Sequence, residues 1–241
     1  MRCALRQVDH PGDPPPRSGS GAGAGGKECV HMRRVLRTGD DVSAIEDDSL
    51  WSLNLGSIEF GSIGFVDDFK IDLQKLADYD LGKSFEHEDF PDAGTYSTNG
   101  RKGMPLHDLM SAKGFNIVSS RLMLMLKSLN LHTVEFKPFP LVDRDDPEKG
   151  VLEYYIVFFR AVDVNLDIQN STGLKSIGPF FSPRRDAEFA FFAGQFPQDE
   201  VWSAAIVRRV IFLKGNFVRD FMSLSLPDLS LRECLITTAS E

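Results

Sequence analysis

The sequence predicts an α+β fold, in which a mixed, mostly antiparallel sheet packs against a few helices. Three observations carry this reading. Residues 119–132, "SSRLMLMLKSLNLH", place apolar side chains at helical spacing. Other stretches alternate with period two or form short continuous apolar runs, the strongest being "YYIVFF" at 154–159. Helical and strand patterns do not alternate in a βαβ rhythm, which argues against a doubly wound sheet.

Residues 1–31 form a Pro/Gly-rich segment that reads as a disordered tail. It contains "SGSGAGAGG" at 18–26, whose Gly21, Gly23 and Gly26 match the spacing of a dinucleotide fingerprint. A phosphate cradle needs a buried strand before those glycines and an amphipathic helix after them. Here "DHPGDPPPR" precedes and the short, polar "KECVHMRR" follows. Three consecutive prolines cannot donate to a ladder. The stretch is a linker, since so few large apolar groups cannot offset the entropy of ordering it. No apolar h-region follows Arg2 and Arg6, so it is not a signal peptide. The composition shifts abruptly at Met32, where translation is expected to begin naturally.

Residues 32–241 are long enough for a single α+β domain. Across 50–72, "GSIEF" and "GSIGF" repeat in tandem, predicting short strands with a turn near Gly61 to Gly64. Residues 76–103 are polar and turn-rich, an exposed irregular segment with at most a short helix. "MPLHDLMSAKGF" at 104–115 reads as a helix: Pro105 opens it, Leu106, Leu109 and Met110 share a face, and Gly114 ends it. "FNIVS" then reads as a strand. The helix at 119–132 is capped by Ser119 or Ser120, and Leu122, Met125, Leu126 and Leu129 form its buried stripe. "HTVEFKPFPLV" has period two, with Pro138 and Pro140 placing it on a sheet edge or ending the strand. "VDRDDPEKG" at 142–150 is a charged turn. The run after it is apolar enough to be buried on both faces. Residues 168–186 read as a long loop. "AEFAFFAG" and "WSAAIVRRVIFLKG" read as two further strands, with Arg208 and Arg209 interrupting the second.

Charge and cysteine usage narrow the function. The net charge is −8. The tail carries four basic and three acidic residues, so the remainder is more acidic than the whole. This disfavours nucleic acid as a partner and suits a basic protein. No apolar run reaches the roughly 18 residues of a membrane span, so no membrane role is expected. Three cysteines, Cys3, Cys29 and Cys234, form no C-x-x-C pair. That pattern fits a reducing cytoplasm, with neither a disulfide framework nor a zinc site.

Candidate chemistry is sparse. "DVNLDIQNSTGL" offers Asp163, Asn165 and Asp167 at the first ligand offsets of a calcium loop. Ile168 stands where the sharp turn needs glycine, and Leu174 stands where the bidentate Glu is needed. It reads as a polar strand end. In "FEHEDF", Glu86, His87, Glu88 and Asp89 splay in different directions, as neighbours on any regular backbone do, and read as a solvated run. His107 and His132 belong to no H-E-x-x-H pair, and no G-x-S-x-G elbow is present. Met123 and Met125 read as core filler. No catalytic, cofactor-binding or metal-binding residue is assigned, and no cofactor is expected.

One block resembles a known family. "GMPLHD" at 103–108, "FNIVSS", the amphipathic helix, "VEFKPF" at 134–139, "YYI" from Tyr154 and "LDIQNS" at 166–171 follow in an order similar to bacterial polymorphic-toxin immunity proteins, once catalogued as a domain of unknown function. The resemblance spans 103–171. In that family an Asn often follows the "Y-Y-I" strand where Phe158 or Phe159 stands here. The family also continues past a segment like "LITTASE", so the C-terminal end is expected to be truncated. The resemblance implies a non-catalytic cytoplasmic protein that binds and neutralises a cognate toxin. Acidic turns are the expected contacts: Asp67 and Asp68, and Asp143, Asp145, Asp146 and Glu148. Toxins that act on nucleic acid are often basic, and an acidic face speeds their capture. An enzyme with a site assembled from remote residues, or a structural or assembly module, stays open on the residues alone.

Overall fold

The computed structural model describes residues 33–55, 63–65, 72–83, 86–97, 106–112, 114–224, 226 and 229–238. Two sheets dominate it. The first has six strands in the order β1, β17, β2, β16, β15, β11. These are β1 Val35–Arg37, β2 Leu50–Asn54, β11 Ala161–Val162, β15 Val201–Ala204, β16 Val210–Lys214 and β17 Ser230–Glu233. The second runs β5 Leu109–Ala112, β6 Phe115–Ser119, β10 Tyr154–Phe159, β7 Val134–Pro138. A smaller sheet orders β3 Gly64–Phe65, β4 Gly94–Tyr96, β8 Leu141–Asp143 and β9 Val151–Leu152. β12 Thr172–Ile177 and β13 Phe180–Glu188 form a hairpin, and β14 Ala190–Phe192 pairs in parallel with β18 Leu235–Thr237. Among the described residues, three strand pairings are parallel and the other strand pairings are antiparallel. The fold is therefore α+β and rich in strands. The expectation of one sheet is corrected, because the strands divide among several.

Strand β10 shows how the layers are made. Tyr154, Ile156 and Phe158 enter one apolar cluster, while Val157, with the partly buried Tyr155 and Phe159, enters another. Ile156, Val157 and Phe158 are fully buried, which bears out the two-faced burial read from "YYIVFF". Between the two main sheets lies the first cluster. Leu53, Ile211, Leu213 and Leu231 from one side meet Leu109, Val118 and Val157 from the other. Each such side chain contributes about 1.5–3 kcal/mol on burial.

Helix α2, Ser120–Ser128, seals this cluster with buried Leu122, Met123 and Leu126, while Met125 and Leu129 pack beside it. Ser119 caps it by accepting the Leu122 N–H at 3.3 Å. Helix α3, Gly215–Met222, adds Phe217, Val218 and Phe221. Gly215 is required there, because a Cβ would collide with the Glu46 carbonyl oxygen.

On the far side of the second sheet, Tyr79 of helix α1 (Leu73–Asp80) meets Phe90, Phe115 and Phe158 edge to face, with ring centroids 5.5–5.9 Å away. Its hydroxyl donates to the Val157 carbonyl at 2.9 Å and accepts from Asn116 N–H and Nδ2 at 3.0 and 3.1 Å. Burial pushes the Tyr79 phenol up to about 12. On the far side of the first sheet, Trp202 stacks on Phe212 at 4.5 Å beside Phe189 and Phe191.

Two expected elements are corrected. The stretch 109–112 is a strand, not part of a helix. Leu109 and Met110 face different apolar clusters, which period two satisfies and one helical face cannot. Gly114 does not end a helix; at φ 98° it turns β5 into β6. The long loop at 168–186 is instead largely the β12–β13 hairpin, with Pro183 tolerated in a two-stranded ladder. Helix α3 and strands β17 and β18 are elements the sequence reading did not assign. The turn expected near Gly61 to Gly64 falls largely outside the described residues. Strand β7 does lie at a sheet edge, and the "WSAAIVRRVIFLKG" stretch is the hairpin β15–β16 with Arg209 in its turn.

Candidate functional site

The charged turn after β8 is built around a carboxylate that never reaches solvent. Asp143 ends β8, which lies parallel to β4 with Tyr96 opposite Asp143. The Arg144 N–H continues that ladder to the Tyr96 carbonyl at 2.8 Å. Asp143 is fully buried, so its oxygens need partners. One accepts the Asp145 N–H at 2.9 Å, and the other accepts Lys149 Nζ at 3.3 Å. Pro147–Lys149 form a single 3-10 turn, closed by the Lys149 N–H on the Asp146 carbonyl at 3.1 Å. Ser97 Oγ donates to Asp145 Oδ2 at 2.6 Å and ties the turn to the end of β4.

This arrangement sorts the four carboxylates of the turn. Asp145 and Glu148 are exposed, and Asp146 is half-buried with Lys149 Nζ 3.6 Å away. Asp143 holds the turn together, which corrects its reading as a surface contact. A hydrogen bond to Asp143, reinforced by its charge, raises the Lys149 ammonium above its ordinary value. Burial, and then the charge of Asp143, raises the Tyr96 phenol. Asp67 and Asp68 lie outside the described residues.

The other charged motifs are structural ties. Asp167 is buried and accepts from Asn170 Nδ2 at 2.7 Å and Thr237 Oγ1 at 2.8 Å. Hydrogen bonds from Asn170, Thr237 and the backbone hold its carboxyl below the ordinary range. Asn165 instead donates to Gln195 Oε1 at 2.8 Å, and Asp163 faces solvent. The three oxygens therefore do not converge, as the missing calcium-loop residues imply. Glu86 and Glu88 are exposed, while Asp89 pairs with Lys75 of α1.

One cluster escaped the sequence reading. Asp80, at the end of α1, lies 3.0 Å from Arg208 Nη2 and 3.3 Å from Arg209 Nε. Burial outweighs both guanidinium groups and raises the Asp80 carboxyl. Beside it lies a cavity of ≈ 20 Å³ lined by Tyr79, Asn116 and Ser203 among others. The sequence signal was the adjacent pair Arg208–Arg209, which interrupts an apolar run. Its partner lies 128 residues away in the chain.

The acidic turn lies inside a recognisable segment. Residues 66–179 match the immunity protein family Imm11. The Imm11 match reaches beyond 103–171 on both sides. It contains helices α1 and α2, the whole second sheet, and the strands that carry the acidic turn. Most of the six-stranded sheet lies outside it. No curated protein matches the chain. Among the described residues, no helix is long and apolar enough to cross a membrane.

Proposed function

We propose that this chain is a non-catalytic immunity protein, which binds a cognate toxin and neutralises it by occupying its surface. The match to Imm11 over 66–179 carries this reading. The acidic turn supports it: Asp145, Asp146 and Glu148 sit on a backbone fixed by buried Asp143 and by Ser97, and an ordered turn loses less entropy on docking than a floppy one. These three residues, together with Asp67 and Asp68, form the proposed acidic contact for a basic toxin. Asp143 serves as the positioning residue. The proposed compartment is the cytoplasm, where free, buried Cys234 stays reduced.

The test is co-expression with the toxin encoded beside this chain's gene. Growth in the presence of both proteins, with the two co-purifying as one complex, supports the proposal. Growth arrest despite soluble immunity protein overturns it.

A further inference from the structure

The acidic turn is one charged feature of this chain; a groove lined by arginines is another. It lies where the cover over the six-stranded sheet ends. Along that face, Phe212 and Trp202 are roofed by Phe189 and Phe191. Toward the β1 edge the roof stops. Val35 pairs with Arg232 and Arg37 pairs with Ser230, and cross-strand partners share a face. Leu36 and Leu231, on the opposite face, are buried in the core. Val35, Arg37, Ser230 and Arg232 thus line one wall of a groove of ≈ 550 Å³, which Leu229 and Arg185 and Asp186 of β13 complete.

Six of the twelve described arginines pair with a carboxylate, and the three in this groove are among the six that do not, with Arg121, Arg144 and Arg184. Arg33, Arg34, Arg160, Arg208, Arg209 and Arg219 each pair with a carboxylate. Among the described residues, no carboxylate lies within ion-pair distance of Arg37, Arg185 or Arg232. Arg232 Nε is buried with no hydrogen-bond acceptor among the described residues.

We propose that this groove binds an acidic polypeptide segment, with its carboxylates on the guanidinium forks of Arg37, Arg185 and Arg232. Guanidinium groups match carboxylates in a bidentate geometry. Val35, exposed in the groove, supplies apolar contact for the aliphatic parts of a peptide. Asp186, between the arginines, opposes an unbroken row of phosphates such as nucleic acid presents. This contact is opposite in sign to the acidic turn and does not depend on the toxin reading.

The experiment titrates the full chain, labelled with ¹⁵N, with an acetylated and amidated Asp-Glu-Asp-Glu peptide. Inorganic phosphate and the matching Asn-Gln peptide are titrated in parallel. Saturable shifts at Val35, Arg37, Ser230 and Arg232 with the acidic peptide are expected, with weaker effects from both controls. The double variant Arg37→Gln/Arg185→Gln changes only exposed side chains and should bind roughly tenfold more weakly or worse, the scale of one charge-assisted hydrogen bond. Arg232→Gln should weaken binding similarly. No saturable shift, equal affinity for phosphate, or unchanged affinity in the double variant overturns the proposal. None of these outcomes bears on toxin neutralisation.

Discussion

Lys149 reaches 3.3 Å to Asp143 across a single 3-10 turn, placing its ammonium on a carboxylate with no solvent contact. Removing the ammonium leaves Asp143 with the Asp145 N–H as its remaining donor in the turn. The ammonium's folded-state value lies above its ordinary 10.5. Its contribution is therefore fully present below the ordinary value and is lost as pH rises through the raised one. Lys149→Met should unfold at lower temperature than the parent at neutral pH. The gap should hold up to about pH 10 and narrow only as the pH climbs past 10.5, the ordinary lysine value. Thermal unfolding followed across that range checks it, and a gap that stays constant with pH removes Lys149 from this role.

Phe158 shares the β10 face of Tyr154 and Ile156 and enters an aromatic cluster. Its ring lies 4.7 Å from Phe90 and 5.5 Å from Tyr79, fully buried. Phe158→Ala should cost about 3–5 kcal/mol. Phe158→Asn should cost at least as much, since its amide would be stranded among rings. Denaturant unfolding with an unchanged slope measures both. A loss below about 1 kcal/mol for either would show that the cluster re-forms around the gap.

Cys234 is buried and free, and burial pushes its thiol well above the ordinary range. The thiolate is the reactive species, so Cys234 should resist iodoacetamide in the native state and react on unfolding. Peptide mapping after labelling reads this directly. Rapid native alkylation would place the residue on an accessible surface.

The acidic turn should act on association speed. Combining Asp145→Asn, Asp146→Asn and Glu148→Gln should slow capture of a basic toxin several-fold at low salt and flatten the salt dependence, with the off-rate little changed. Stopped-flow or surface binding at two ionic strengths measures it. Equal on-rates at low salt would remove the turn from the contact.

Elements that obey one local rule were legible in the sequence. Helix α2 has a cap and a stripe, and β10 is apolar throughout, so both are readable without tertiary context. Residues 109–112 carry both a helical and an alternating pattern, and only the two clusters on either side of β5 decide between them. Helix α3 has no side-chain cap and begins with glycine, so its local signals point away from a helix; its apolar face and the close approach of Glu46 hold it. The acidic turn was legible as charge. The role of Asp143 was not, because burial depends on the parallel pairing with β4 from some 45 residues upstream. The arginine groove joins β1, β13 and β17, which no sequence window contains.

Whether this molecule neutralises by occupying its target is read most directly by titrating purified chain into a fixed amount of the neighbouring-gene toxin while following toxin activity. Neutralisation by binding predicts a linear fall to zero at a fixed whole-number ratio, with a complex of the same ratio by native mass spectrometry. Complete inactivation by a small fraction of one equivalent, with turnover and no complex, would instead reveal an enzyme.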